Sequence, residues 1–346
     1  MIPFKKTLLL PLLAGMIVFS GCSAQGQATP DQGNSGAASN SVSGKLSFYT
    51  SQPEEDAGKL VNAFNQKYPD VQVSIFRSGT EEVTAKIQAE RQAGKTQADV
   101  LLLADAVTFE NLKSDDLLLA YKSPELSQIP TDLVDPDGMY AGTKVMATVL
   151  ATNTQKVTAQ PTSWQVLTMP ESNNASIMPS PLYSGAAAYN IGVFSRTDGF
   201  GWDFLQESKM NGMSVIKGNG AVIKAVASGE KSYGVVVDYL VAREKAKGSP
   251  VELIYPEEGV PIITEPIGIM KEAANVPAAQ AFVDFVLSED GQKLSAEIGY
   301  SPIREGVAPP EGLKGVSEMK ILPGDAAKLA ADRETDKQQF INVFGE

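Results

Sequence analysis

The chain has no histidine and a single cysteine in 346 residues. Without histidine it lacks the commonest general acid–base and the commonest transition-metal ligand. Any metal would have to be held by Tyr, Asp or Glu oxygens. With Cys22 alone, no internal disulfide can form, so stability rests on packing. Basic residues are also in deficit, with 29 Lys and Arg against 41 Asp and Glu. Nucleic acid is bound through Lys and Arg contacts to phosphates, and no basic stripe interrupts this acidic surface. Long apolar runs are missing too. Thr7 to Phe19 is apolar over 13 residues, short of the ~20 that a membrane-spanning helix needs. Behind Lys5 and Lys6 it has the layout of a secretory signal. Without those lysines, 27 basic residues face 41 acidic ones, a formal charge of −14.

What is present points to a large globular body. Hydrophobic content of 43% and charged content of 20% are ordinary for a folded chain, and the length suffices for two lobes. Ser23 to Gly44 has almost no large apolar residue and cannot pay for its own ordering. Residues 22–44 are therefore expected to be a polar tether. The folded part is expected from Lys45. Leu46 to Thr50 is a short strand, and Pro53-Glu54-Glu55-Asp56 opens a helix, with proline and acids suited to its first turn. Val71, Val73 and Ile75 alternate as a half-buried strand. Glu81 to Ala93 forms a helix ended by Gly94, and Asp99 to Leu103 a buried strand. Alternating strands and helices mean crossovers and an α/β sheet. A second such block follows: a strand at Ala175 to Met178, a helix after Asn219 closed by Gly229, and a strand at Tyr233 to Val237. Helices are expected over Val276 to Leu287 and over Asp325 to Phe344.

In open α/β sheets, ligands sit beyond the carboxyl ends of the strands. That rule selects five loops: Thr50-Ser51-Gln52, Arg77-Ser78-Gly79-Thr80, Ala104-Asp105, Ser184-Gly185-Ala186 and Asp238-Tyr239. Ser184 to Ala186 leads into a helix, whose free N–H groups suit an anion. Ser184 and Asn219 are equally apt as helix caps. Arg77 with Ser78 to Thr80 fits a second anion cradle or a plain turn. Thr50, Ser51 and Gln52 suit ligand contact or capping of the next helix. Asp238 at a strand end suits a hydroxyl or ammonium donor, or a salt bridge. Tyr183, Tyr189 and Tyr239 are candidates for the cleft wall or the core edge.

Several segments in order carry a resemblance. Ser20-Gly21-Cys22 resembles the bacterial lipobox, with Phe19 where Leu is usual, which implies cleavage before Cys22 and its lipidation. Leu46-Ser47-Phe48-Tyr49-Thr50, Pro161-Thr162-Ser163-Trp164, Ser184-Gly185-Ala186, the run from Ala281 to Gln292, and Gly299-Tyr300-Ser301-Pro302-Ile303-Arg304 follow. Together, over roughly Lys45 to Arg304, they look like an extracellular solute-binding protein of an ABC importer, type II, in the cluster that includes ferric-ion-, organophosphate- and phosphonate-binding proteins. The resemblance implies two α/β lobes, each a mixed sheet flanked by helices, joined by two crossings near Ala147 to Asn153 and Thr264 to Gly268. The implied division is signal peptide 1–21, tether 22–44, lobe 1 at 45–148 plus 268–310, lobe 2 at 149–267, and a helical tail 311–346 packed on a lobe.

The resemblance implies an anion site, since in the ferric-binding relatives a phosphate is held by the stretch matching Ser184 to Ala186 and by an Asn matching Asn219. Glu265, before Pro266 at the second crossing, is a further candidate acceptor. The ferric ligands match poorly: Pro53 stands where a His is expected, and the tyrosine pair is Asp238-Tyr239. The resemblance therefore implies a monomeric, lipid-anchored binding protein without cofactor or catalysis. It would carry an organophosphate or phosphonate on the extracytoplasmic face to its permease and ATPase. Iron held by Asp238 and Tyr239 is the alternative, and an exported sensor, adhesin or enzyme on the same fold is another.

Overall fold

The structure is a computed structural model that describes residues 42–345. The expected signal peptide, Cys22 and most of the tether lie outside them. The tether's last residue differs from expectation. Gly44 opens the first strand and donates its N–H to Asp70 O at 3.0 Å, and Val42 packs on the core.

The chain begins with β1 (Gly44–Thr50) and α1 (Glu54–Lys67). α1 buries Ala57, Leu60, Val61 and Phe64 on one stripe, and its three first-turn acids and Lys67 in the last turn oppose the helix dipole. β2 (Val71–Arg77), α2 (Thr80–Gln92), β3 (Val100–Leu102) and α3 (Ala106–Ser114) complete the first block. β1 lies between β2 and β3, parallel to both. After the short β4 (Leu118–Leu119) comes β5 (Ala141–Asn153), buried along its whole length.

The second block holds β6 (Ser176–Pro179), α4 (Gly185–Phe194), α5 (Gly201–Met210), β7 (Ser214–Ile216), α6 (Asn219–Ala227), β8 (Tyr233–Val237), α7 (Asp238–Ala246) and β9 (Val251–Ile254). β6 runs parallel to β7 and β8. The chain returns through β10 (Ile262–Met270), α8 (Val276–Leu287), α9 (Glu289–Ile298) and β11 (Ser301–Pro302). It ends in α10 (Ala326–Phe344). The tail is helical only from there. Residues 311–325 form a loop with one 3-10 turn at Val316–Glu318.

β5 joins the two sheets. Its first half pairs antiparallel with β10, and from Thr148 onward it pairs with β8 and β9. Each sheet has its own core. One is built around Trp164, Phe194, Phe204 and Val235. The other lies on both faces of β1 and β3, around Phe48, Phe64 and Phe282 on one side and Leu101, Leu103 and Phe109 on the other. A smaller cluster with Met146, Tyr239 and Tyr300 sits at the junction. The result is a two-lobed α/β architecture. Among the described residues, no helix is long and apolar enough to cross a membrane.

Candidate ligand-binding cleft

The carboxyl ends of β1, β2 and β3 face those of β6 and β8 across a cleft of about 400 Å³, within the range of small-molecule sites. Ser51, Gln52, Arg77, Gly79 and Thr80 line it from one lobe, and Ser184, Gly185, Ala186, Asn219 and Tyr239 from the other. Glu265 closes the floor. The starts of α1, α2, α4 and α6 all border this space, so several helix dipoles direct their positive ends into it.

The α4 start is built by side chains from two elements. Ser184 caps the helix, its Oγ accepting from Ala187 N at 3.3 Å. Asn219 Nδ2 donates to the same Oγ at 3.2 Å, and Asn219 Oδ1 accepts from Val237 N at 3.3 Å. Asn219 is thus the first residue of α6 rather than its cap, which is Gly218, and it ties the starts of two helices together. The N–H groups of Gly185 and Ala186 belong to the helix's first turn, where no intrahelical acceptor exists. Gly185 also serves a close approach. A Cβ there would lie 2.1 Å from Ala104 O in the facing lobe.

Across the cleft, Arg77 Nε donates to Gln52 O at 2.7 Å and its Nη1 to Tyr183 Oη at 3.2 Å. These acceptors are all uncharged, so the guanidinium keeps its net charge for the cleft. Lys217 adds a second cation at the rim, paired with Glu82 at 2.9 Å. Glu54 is an exposed acid on the same rim.

The floor is different, because Glu265 there and Asp56 buried behind it carry their own cations. Opposite Glu265 the β5–β10 register breaks, so that Thr143 and Lys144 face one residue of β10, a two-against-one bulge that re-aims side chains. Thr143 Oγ1 donates to Glu265 O at 2.6 Å, and Lys144 Nζ lies 2.5 Å from Glu265 Oε2. Gln52 Nε2 donates to the same oxygen at 3.2 Å. The other amide atom, Gln52 Oε1, is buried without a partner. Beneath Tyr239, Arg243 clamps Asp56 with two bonds of 2.8 and 3.1 Å, and Tyr300 Oη donates to Asp56 at 2.7 Å. The Tyr239 and Tyr300 rings lie 4.3 Å apart, with the Arg243 guanidinium 4.6 Å from Tyr239. Burial pushes both phenols well above their usual pKa, so they stay protonated.

Four expected site residues face away from the cleft. Thr50 is fully buried and donates its hydroxyl to Leu102 O at 2.8 Å, tying β1 to β3. Ser78 turns to Glu82. Asp105 caps α3 through Thr108 N at 2.9 Å and pairs with Arg333 of α10 at 3.0 Å. Asp238 opens α7 but turns under it, accepting from Tyr239 N at 2.8 Å and Tyr255 Oη at 3.4 Å. Burial pushes its carboxyl up to about 7. Its side chain and that of Tyr239 thus meet different partners. Of the candidate tyrosines, Tyr183 and Tyr239 line the cleft, whereas Tyr189 packs beneath Gly324.

Sequence reasoning passed over Lys144, Lys217, Arg243 and the buried role of Asp56. One signal was readable: Lys144 is a lone charge inside a strand of small and apolar residues. Lys217 stands two places before Asn219. Nothing local marks the pairing of Arg243 with Asp56, 187 residues away.

The fold and the cleft define a two-lobed periplasmic binding protein. A family model of bacterial extracellular solute-binding proteins matches residues 95–330, and the chain belongs to that family. A Haemophilus influenzae protein of uncharacterized function is 29% identical over 269 residues, covering 75% of this chain and 77% of that one. A probable ABC transporter periplasmic-binding protein of Sinorhizobium fredii is 24% identical, with 67% of each chain covered. Among solved structures, the periplasmic binding protein AfuA from Actinobacillus pleuropneumoniae, bound to fructose-6-phosphate, superposes with a TM-score of 0.81 at 25% identity, covering 87% of this chain and 98% of that one. Iron-bound HitA from Pseudomonas aeruginosa gives 0.76 at 24%, covering 86% and 99%.

Proposed function

We propose that this chain is the solute-binding component of an ABC importer and that its cargo is a small organic anion of the organophosphate or phosphonate class. One observation carries the reading. The starts of α4 and α6 and the Arg77 guanidinium converge on one cleft, while Glu265 on its floor and Asp56, buried beneath Tyr239, are already matched by Lys144 and Arg243. Positive potential is left for an anion, and little negative charge is left for a cation. In this reading Ser184 to Ala186, Asn219 and Arg77 take the phosphate end. Gln52 and Glu265 take hydroxyl or amine groups, and Tyr239 forms the wall. Lobe 1 is residues 45–148 with 268–310, and lobe 2 is 149–267. The protein acts as a monomer, without catalysis, and a lipid on Cys22 holds it at the extracytoplasmic face. The fructose-6-phosphate held by AfuA supports the cargo class.

Ferric cargo is the second reading, favoured by the likeness to iron-bound HitA and by Tyr239 at the cleft wall. Against it stand the Arg243 guanidinium beside Tyr239 and the turned-away Asp238. Thermal-shift titration with fructose 6-phosphate, a phosphonate, inorganic phosphate and ferric citrate separates the two. A ligand at 100 times its Kd adds about 2.7 kcal/mol. The expected shift comes from a phosphate ester or phosphonate. Arg77→Ala should then weaken that ligand roughly tenfold to a hundredfold, the weight of a charge-assisted hydrogen bond of about 1.5–3 kcal/mol. A shift with ferric citrate alone rejects the anion reading.

A further inference from the structure

We propose that Gly79 and Tyr183 form the stop on which the two lobes close, and that this stop sets the size of solute the cleft accepts. The inference rests on the interlobe-cleft reading above and concerns the contact between the loop that carries Arg77 and the loop before α4. Tyr183 belongs to the loop before α4, and Gly79 to the loop before α2 in the facing lobe. The Tyr183 carbonyl accepts from Glu81 N at 3.3 Å, and its hydroxyl accepts from Arg77. Lys217 lies 4.6 Å from its ring centroid and pairs with Glu82 across the seam. A Cβ at position 79 would stand 2.4 Å from Tyr183 O and 2.6 Å from the ring edge. No real side chain fits there. On its other edge, the ring lies 3.1 Å from where a Cβ of Gly218 would be. Tyr183 is thus seated between two glycines, one from each lobe.

The backbone does not ask for glycine at 79. Its φ of −67° and ψ of 155° are open to every residue. Local chemistry asks for something else, because Gly79 is the N-cap of α2 and makes no side-chain cap bond. Ser, Thr, Asp or Asn would serve better. A choice that breaks the local rule marks a constraint from elsewhere, and here the neighbouring atoms belong to the opposite lobe. Closure therefore ends when Tyr183 reaches Gly79, which fixes the closed cleft near 400 Å³. A larger solute holds the ring off its seat, and the seam bonds of Arg77, Glu81 and Lys217 do not form.

Gly79→Ser tests this, because serine improves the cap of α2 while blocking the seat. The full chain and the variant are titrated by calorimetry with fructose 6-phosphate, inorganic phosphate and ferric citrate. Small-angle scattering is recorded before and after saturation. The ligand-free variant is expected to melt no lower than wild type. Its affinity for whichever probe the wild type binds is expected to fall at least tenfold, and its radius of gyration to stay larger than that of the saturated wild type. Unchanged affinity overturns the proposal, and so does a lower melting temperature without ligand, which would make Gly79 a requirement of the fold. If wild type takes only ferric citrate, the anion reading fails, yet the stop is still judged by the variant's ferric citrate affinity. If no probe binds, equal ligand-free radii for the two chains overturn the stop.

Discussion

At the residue scale, the charges around the cleft are governed by who pairs with whom. Glu265, Asp56 and Asp105 all look like free acids near strand or helix ends, yet each is paired with a cation from a distant part of the chain. Asp238 has no such cation among the described residues. Burial alone pushes its carboxyl up to about 7, against hydrogen bonds that favour the anion. Its folded pKa therefore lies above its unfolded value. The stability it contributes is full below about pH 4 and is lost as pH rises through about 7, because the unfolded chain releases the proton first. Asp238→Asn keeps the shape and removes the titration. The variant is expected to gain stability at pH 8 relative to wild type, by at most about 4 kcal/mol from a shift of this size, with little change at pH 4. Melting curves across that range check this, and parallel pH profiles for the two chains contradict it. Asp238 also marks where sequence reasoning stops. The end of β8 was readable from Tyr233 to Val237, but whether the next side chain turns into the cleft depends on Tyr255, which no local pattern reveals. Arg77 and Ser184 to Ala186 were legible because backbone position alone puts them there.

At the element scale, three pieces join the lobes. β5 changes sheets at Thr148, and β10 is kinked against it where Thr143 and Lys144 oppose Glu265. The third piece is α10. Its apolar residues Leu329, Phe340 and Phe344 pack in the core of the second lobe, and Arg196 of that lobe holds Asp332 and Asp336. On its other side Arg333 reaches Asp105 at 3.0 Å and Glu81 at 2.7 Å, and Lys337 meets Glu81 at 2.8 Å. Burial works against the Glu81 anion, but Arg333 and Lys337 outweigh it and hold its pKa below the usual range. Because Thr80 and Ala104 line the cleft, Arg333 braces two of its loops from behind. Arg333→Ala leaves Asp105 buried and unpaired, so a loss of about 3–5 kcal/mol is expected, measured by chemical denaturation. A loss below 1 kcal/mol would show that the contact carries little. The sequence pattern identified α10 as a helix, since its spacing is local. Its bridging role was hidden, because it depends on acids more than 200 positions earlier.

At the scale of the whole molecule, two blocks of alternating strands and helices were legible because β1 to β3, and β6 and β8, follow the ordinary rules of parallel sheets, whereas the three-residue β7 was not read. Their order in space was not, since β5 and β10 are long strands shared between remote segments. The molecule they build places several helix starts and Arg77, which forms no ion pair among the described residues, around a cleft whose floor acid Glu265 is paired with Lys144. That balance of charge is the centre of the account. Native mass spectrometry of the full chain, purified without chelators or added phosphate and then released from its ligand, reads it most directly. The expected result is a small phosphorus-bearing organic anion at one per chain. Stoichiometric iron with no such anion would contradict it.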